Sequence, residues 1–156
     1  MSFTSEVKKE LTLLEVHPVH ARAELAAFVR LNGTAGLKKN ALNLSIQTEN
    51  AGTARRIYTL IKKHFVVESE ILVRRKLKLK KNNVYIIRLH QGAEEVLSSL
   101  GLVENGELHN RVPRWIFEDQ QQMRSYLRGA FLATGSVNSP ETSRYHLEIR
   151  STYKEH

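Results

Sequence analysis

Residues 23–33 read AELAAFVRLNG, and residues 125–135 read SYLRGAFLATG. Each is an apolar run with small residues, closed by a polar residue and a glycine. The spacing predicts helices over 20–31 and 120–133, stopped at Asn32-Gly33 and Thr134-Gly135. After each glycine the pattern predicts a short loop and then an alternating strand, ALNLSIQT at 41–48 and YHLEIRST at 145–152. Leu44 and Leu147 follow their glycines by 11 and 12 residues, so the chain starts over near residue 120. Ala26, Ala27 and Gly33 in one run and Gly129, Ala130, Ala133 and Gly135 in the other are small enough for a close helix contact. Small side chains let backbones approach and pack by dispersion.

Outward from this repeat, residues 4–15 predict a helix with Val7, Leu11 and Leu14 on one face, ended by Pro18. Residues 51–65 predict an amphipathic helix on Ala54, Ile57, Tyr58 and Ile61. A hairpin is expected over 69–79 and 84–90. Its first strand puts Ile71, Val73, Leu77 and Leu79 on one face, with Arg75 interrupting, and Arg74, Lys76, Lys78 and Lys80 on the other. A three-residue turn, Lys81-Asn82-Asn83, pairs Leu79 with Tyr85 and Leu77 with Ile87, which matches the faces. Val84, Ile86 and Arg88 then join the basic face, and two apolar residues there imply that it is partly covered. A short helix over 92–100, a loop over 101–112 and a turn at Val112-Pro113 complete the first unit. The class is α+β. The second copy breaks off after its first helix and strand, the pattern of the N-terminal part of a longer protein.

At 156 residues the chain makes one ordinary domain with a core of its own. It has no cysteine, which excludes a disulfide scaffold, a thiol nucleophile and Cys-ligated metal sites. No apolar run is long enough to span a membrane, and the charged N-terminus is not a signal peptide. The net charge of +8 is concentrated: Arg74, Arg75, Lys76, Lys78, Lys80 and Lys81 fall within eight positions, and without them the chain is nearly neutral. From Ile71 to Gly92 there is no acid. One dense patch is the footprint of a nucleic-acid surface. Lysines guarding an edge strand are the alternative, but that needs only one or two.

The two quoted helices resemble the LAGLIDADG motif of homing endonucleases: LAAFVRLNG at 25–33 and LRGAFLATG at 127–135 keep its Leu, Ala and Gly frame. The resemblance implies an αββαββα repeat, here with the second repeat truncated and a short N-terminal helix in front, and it implies that the two motif helices cross each other through their small residues. In those nucleases an acid before each final glycine binds a divalent metal. Asn32 and Thr134 stand at these degenerate metal positions, and Arg30 and Leu132 replace the motif's earlier acid. An amide and a hydroxyl bring no charge to offset the hydration shell of Mg²⁺. No metal, no cofactor and no catalysis are therefore expected. Residues 2–11, SFTSEVKKEL, add the most specific resemblance, to the WhiA family of bacterial regulators. It implies a helix-turn-helix further along, a cytoplasmic, nucleoid-associated setting, and a role in transcription, sporulation, cell division and chromosome segregation. By this resemblance residues 1–18 form an N-terminal helix, 19–118 the first repeat and 119–156 the start of the second.

Carried over by position, the face that would lie along DNA holds Asn43, Ser45, Gln47, Arg74, Lys76, Lys78, Lys80 and Arg88, with Arg75 and Lys81 beside it. Lysines position on phosphates, while Asn, Gln and Arg address base edges. In the second repeat His146, Glu148 and Arg150 take the matching face, and Glu148 opposes phosphate. His17 and His20 flank Pro18 without a nearby carboxylate and read as a surface turn. Glu24 and Asp119 read as helix-surface charges. The expected partner is duplex DNA, with other regulatory proteins and a homodimer as further partners. Two other readings stand beside this one: a protein-interaction module with DNA binding left to the helix-turn-helix, and a residual metal-dependent nuclease, which plasmid nicking would reveal.

Overall fold

Two helices rich in small residues cross each other, and each runs straight into a strand. The computed structural model describes residues 3–38, 41–75, 83–105, 107–109, 111–137 and 147–149. Helix α1 spans Phe3–Leu11 and α2 spans Pro18–Asn32. Strands β1 (Gly33–Lys38) and β2 (Ala41–Thr48) follow, then α3 (Ala51–His64), β3 (Glu70–Arg74), β4 (Val84–Leu89) and α4 (Ala93–Ser99). A small pair, β5 (Val103–Glu104) and β6 (Glu107–Leu108), lies in the stretch expected as loop. A 3-10 turn over Arg114–Glu118 leads into α5 (Gln120–Thr134), then β7 (Gly135–Val137) and β8 (Leu147–Ile149).

The α2–α5 crossing depends on missing side chains. A Cβ on Gly129 would stand 2.4 Å from the Glu24 carbonyl oxygen and 3.0 Å from the Ala27 Cβ. Ala26, Ala27 and Ala130 are fully buried around this contact. Gly33 and Gly135 solve a second problem, the direct passage from helix to strand. A Cβ would stand 2.2 Å from the Val29 carbonyl oxygen at Gly33 and 2.4 Å from the Phe131 ring at Gly135. Both glycine N–H groups still close the last helical bond, to Val29 and Phe131.

Strands pair antiparallel in the order β1-β2-β4-β3. Period-two alternation gives the sheet an inner face of Leu44, Ile46, Ile87 and Leu89, all fully buried, with Ala35, Leu42, Ile71 and Tyr85 packed against them. The α3 residues Ile57 and Ile61 and the α4 residues Val96 and Leu97 complete this core with α2. Each buried aliphatic side chain contributes about 1.5–3 kcal/mol. Asn50 begins α3 by accepting from the Thr53 N–H at 2.8 Å, and Lys62, Lys63 and His64 complement the dipole at its end.

Several expectations change. The stretch after Gly33, read as a loop, is β1: its two glycines hide the alternation, and pairing with β2 satisfies its backbone. The hairpin register is slid along the strand. Tyr85 faces Val73 rather than Leu79, and Val84 faces Arg74, so the three-residue turn is wrong. The face parity is kept, but Ile71 against Ile87 places the apolar end of the first strand over the core. The strand residues expected at 76–79 lie outside the described residues. Pro18 opens α2 instead of only closing the segment before it; the ring suits the first helical position, and His17 caps the helix by accepting from the Val19 N–H. Asp119 is not merely a surface charge: it caps α5 through the Gln121 N–H at 3.1 Å and meets His20 at 3.3 Å.

Glu24 is the largest correction. It is fully buried, because every residue from Ala23 to Arg30 is covered and that part of α2 has no solvent face. Arg56 of α3 grips its carboxylate with two nitrogens, and Arg128 of α5 donates to it at 2.6 Å. A carboxylate can be buried when cations and hydrogen bonds replace its water. Arg56 also donates to the carbonyls of Thr12 and Leu14, which ties the α1–α2 connection to the same hub.

Candidate nucleic-acid interface

Residues pointing away from the core alternate with the buried ones. On β2 they are Asn43, Ser45 and Gln47; on β4, Val84, Ile86 and Arg88; on β3, Glu70, Leu72 and Arg74. Register aligns them in rows across the sheet. Thr34, Ser45, Arg88 and Glu70 form one row, and Gln47, Ile86 and Leu72 form the next. Arg74 stands opposite Val84, about 13 Å along β4 from Arg88 at the usual strand rise.

Gln47, Arg74 and Arg75 are exposed, while Asn43, Ser45 and Arg88 are half-buried. None of these six side chains has a hydrogen-bond or ion-pair partner among the described residues. Glu70, the acid in the Arg88 row, is engaged by His90 at 2.9 Å. Val84 and Ile86 are buried on this outer face, as its apolar content implied. Lys76, Lys78, Lys80 and Lys81 lie outside the described residues, as do His146 and Arg150.

A second feature sits at the joined ends of α2 and α5. Here Thr4, Ser5 and Lys8 of α1, Asn32 and Ala133 of the crossing helices, and Gln47, Glu49 and Asn50 of the β2–α3 corner wall a cleft of about 420 Å³. The Asn32 amide donates to the Ala133 carbonyl at 3.3 Å, so this position fastens one helix to the other. The Thr134 hydroxyl donates to Ala130 within its own helix at 3.4 Å. Lys8 lies over the Phe131 ring at 5.7 Å, and burial holds its ammonium below the usual lysine range.

These residues do not fit a divalent cation. The amide nitrogen of Asn32 is a donor already committed to a carbonyl, and an ammonium shares the cleft. Among the described residues no three His, Asp or Glu side chains cluster as a metal site. No described helix is long and apolar enough to cross a membrane. Sequence reasoning missed the cleft entirely. The signal was the SFTSEVKKEL stretch, whose residues 4, 5 and 8 fall on one helical face.

Residues 18–103 match the WhiA N-terminal LAGLIDADG-like domain, and residues 123–156 match the WhiA LAGLIDADG-like domain. The chain is 61% identical to the probable cell division protein WhiA of Latilactobacillus sakei subsp. sakei, over 99% of this chain and 50% of that protein. It is 58% identical to the protein of the same name from Limosilactobacillus reuteri, over 100% of this chain and 50% of the relative. The chain thus spans about half the length of the curated relatives it matches. A crystal structure of the N-terminal LAGLIDADG domain of DUF199/WhiA superposes with a TM-score of 0.72 at 25% identity, covering 99% of this chain and 68% of that one. Full-length DUF199/WhiA from Thermatoga maritima gives 0.70 at 24% identity, covering 99% and 46%, a likeness of fold.

Proposed function

The chain belongs to the WhiA family, matched in both of its repeats, and from that premise we propose that it is a non-catalytic DNA-binding scaffold within a WhiA-like regulator of cell division. Duplex DNA lies along the outer face of the sheet in this reading. One observation carries it: Asn43, Ser45, Gln47, Arg74 and Arg88 share a surface and leave their donors unspent among the described residues. Arginines and the lysines that follow Arg75 in sequence neutralise phosphates, which supplies most of the affinity. Asn43 and Gln47 are the side chains suited to base edges. Transcriptional control, sporulation and a nucleoid setting belong to the same proposal.

The absence of cleavage is likewise proposed. It is supported by Asn32 and Thr134 at the helix ends and by the Lys8 ammonium in the cleft between them and α1. Charge reversal at Arg74 and Arg88 tests the DNA reading. Binding to a short duplex is expected to weaken by about tenfold or more, uniformly across sequences. Unchanged affinity would move DNA binding elsewhere and leave this region as a partner-binding scaffold.

A further inference from the structure

We propose that the cleft between α1 and the joined ends of α2 and α5 binds a small phosphorylated metabolite, with its phosphoryl group on Lys8. At about 420 Å³ the space suits a small molecule. Three separate parts of the chain converge to build it, and the DNA reading needs none of α1.

Its lining is polar, with one cation. Lys8 brings an ammonium and Asn50 an amide, while the Asn32 amide is already bonded to the Ala133 carbonyl and Thr4 and Ser5 have partners of their own. Lys8 is half-buried and has no carboxylate at ion-pair distance among the described residues; its one recorded neighbour of opposite character is the face of the Phe131 ring. Desolvating a cation without an anion is costly, and a phosphoryl oxygen offsets that cost through a charge-assisted hydrogen bond. Burial already lowers the proton affinity of Lys8, and an anion would restore it. Glu49 is the other charged residue of the lining. It is exposed, so water screens it, and it has a partner of its own. The site therefore presents a poorly screened positive charge and a well screened negative one.

Thr4, Ser5 and Lys8 occupy one face of α1 by their spacing. Leu11 packs α1 against the core, and no residue of the helix is fully buried.

The test is a titration of the isotope-labelled chain with ADP and with inorganic pyrophosphate, followed by amide shifts at constant ionic strength, with adenosine as the uncharged control. Saturable shifts are expected at residues 4–8, Asn32 and Asn50 with both anions and not with adenosine. Lys8→Met should weaken binding about tenfold. Glu49→Gln should tighten it several-fold, and Arg74→Glu should leave it unchanged. Should Lys8→Met disturb amides far from the cleft, Lys8→Arg, expected to retain binding, and Lys8→Gln, expected to weaken it, make the same comparison. No saturable shift at millimolar anion, equal affinity without the Lys8 charge, or equal weakening by Arg74→Glu would overturn the site. So would a DNA duplex that moves these amides when ADP does not. Because Arg74→Glu separates the outer face from the cleft, failure of either proposal leaves the other readable.

Discussion

Glu24 holds three helices at one point. Its carboxylate is fully buried between Arg56 and Arg128, and Arg56 extends the hub to the carbonyls of Thr12 and Leu14. Removing the carboxylate strands a guanidinium that is itself buried, so Glu24→Ala should lower stability by about 3–5 kcal/mol in urea unfolding. Replacing Arg56 by Leu in the same chain should recover part of that loss. Tyr126 makes a different demand. Burial pushes its phenol up to about 12, against a smaller opposing effect from Arg30, which also hydrogen-bonds to it. The raised value means that the folded state keeps a proton which the unfolded chain releases near pH 10. Stability is therefore whole below pH 10 and falls as pH rises toward 12. Tyr126→Phe should show a shallower alkaline loss in thermal scans taken across that range. Neither role was legible in the sequence, because a lone acid or tyrosine in a helix reads as surface until the neighbouring helices are known to cover every side.

Helices α2 and α5 were legible because small residues, a polar stop and a glycine occur twice in the same order. Strand β1 was not, because only Ala35 and Leu37 of GTAGLK, beside two glycines, mark its inner face, and its pairing with β2 is a tertiary fact. The β3–β4 register failed for a related reason. Alternation fixes which face is buried but is indifferent to sliding by an even number of residues, and the choice falls to whichever apolar pair sits over the core. The crossing of α2 and α5 carries the sharpest expectation at this scale. Gly129→Ala puts a methyl group 2.4 Å from a carbonyl oxygen of the partner helix. The helices must separate, and roughly 3 kcal/mol of stability should be lost, read as a lower urea midpoint. An unchanged midpoint would mean that the two helices do not pack as closely as described.

Across the whole molecule, the sheet separates two tasks. Its inner face is spent on the core, and its outer face carries amides and arginines without partners among the described residues. Strand alternation placed Asn43, Ser45, Gln47, Arg74 and Arg88 on one face in advance, whereas the lysines that carry the charge asymmetry lie outside the described residues. The cleft was not, because Thr4, Ser5 and Lys8 lie far in sequence from Asn32 and Ala133, and only the fold joins them. The claim that DNA lies on the outer face is tested most directly by a salt titration of binding to a random short duplex, followed by fluorescence anisotropy. With roughly five phosphates neutralised, log K should fall against log salt with a slope near −4.5, and Arg74→Glu with Arg88→Glu should make that slope shallower by about 2. No binding at low salt, or the same slope in the variant, would contradict the account.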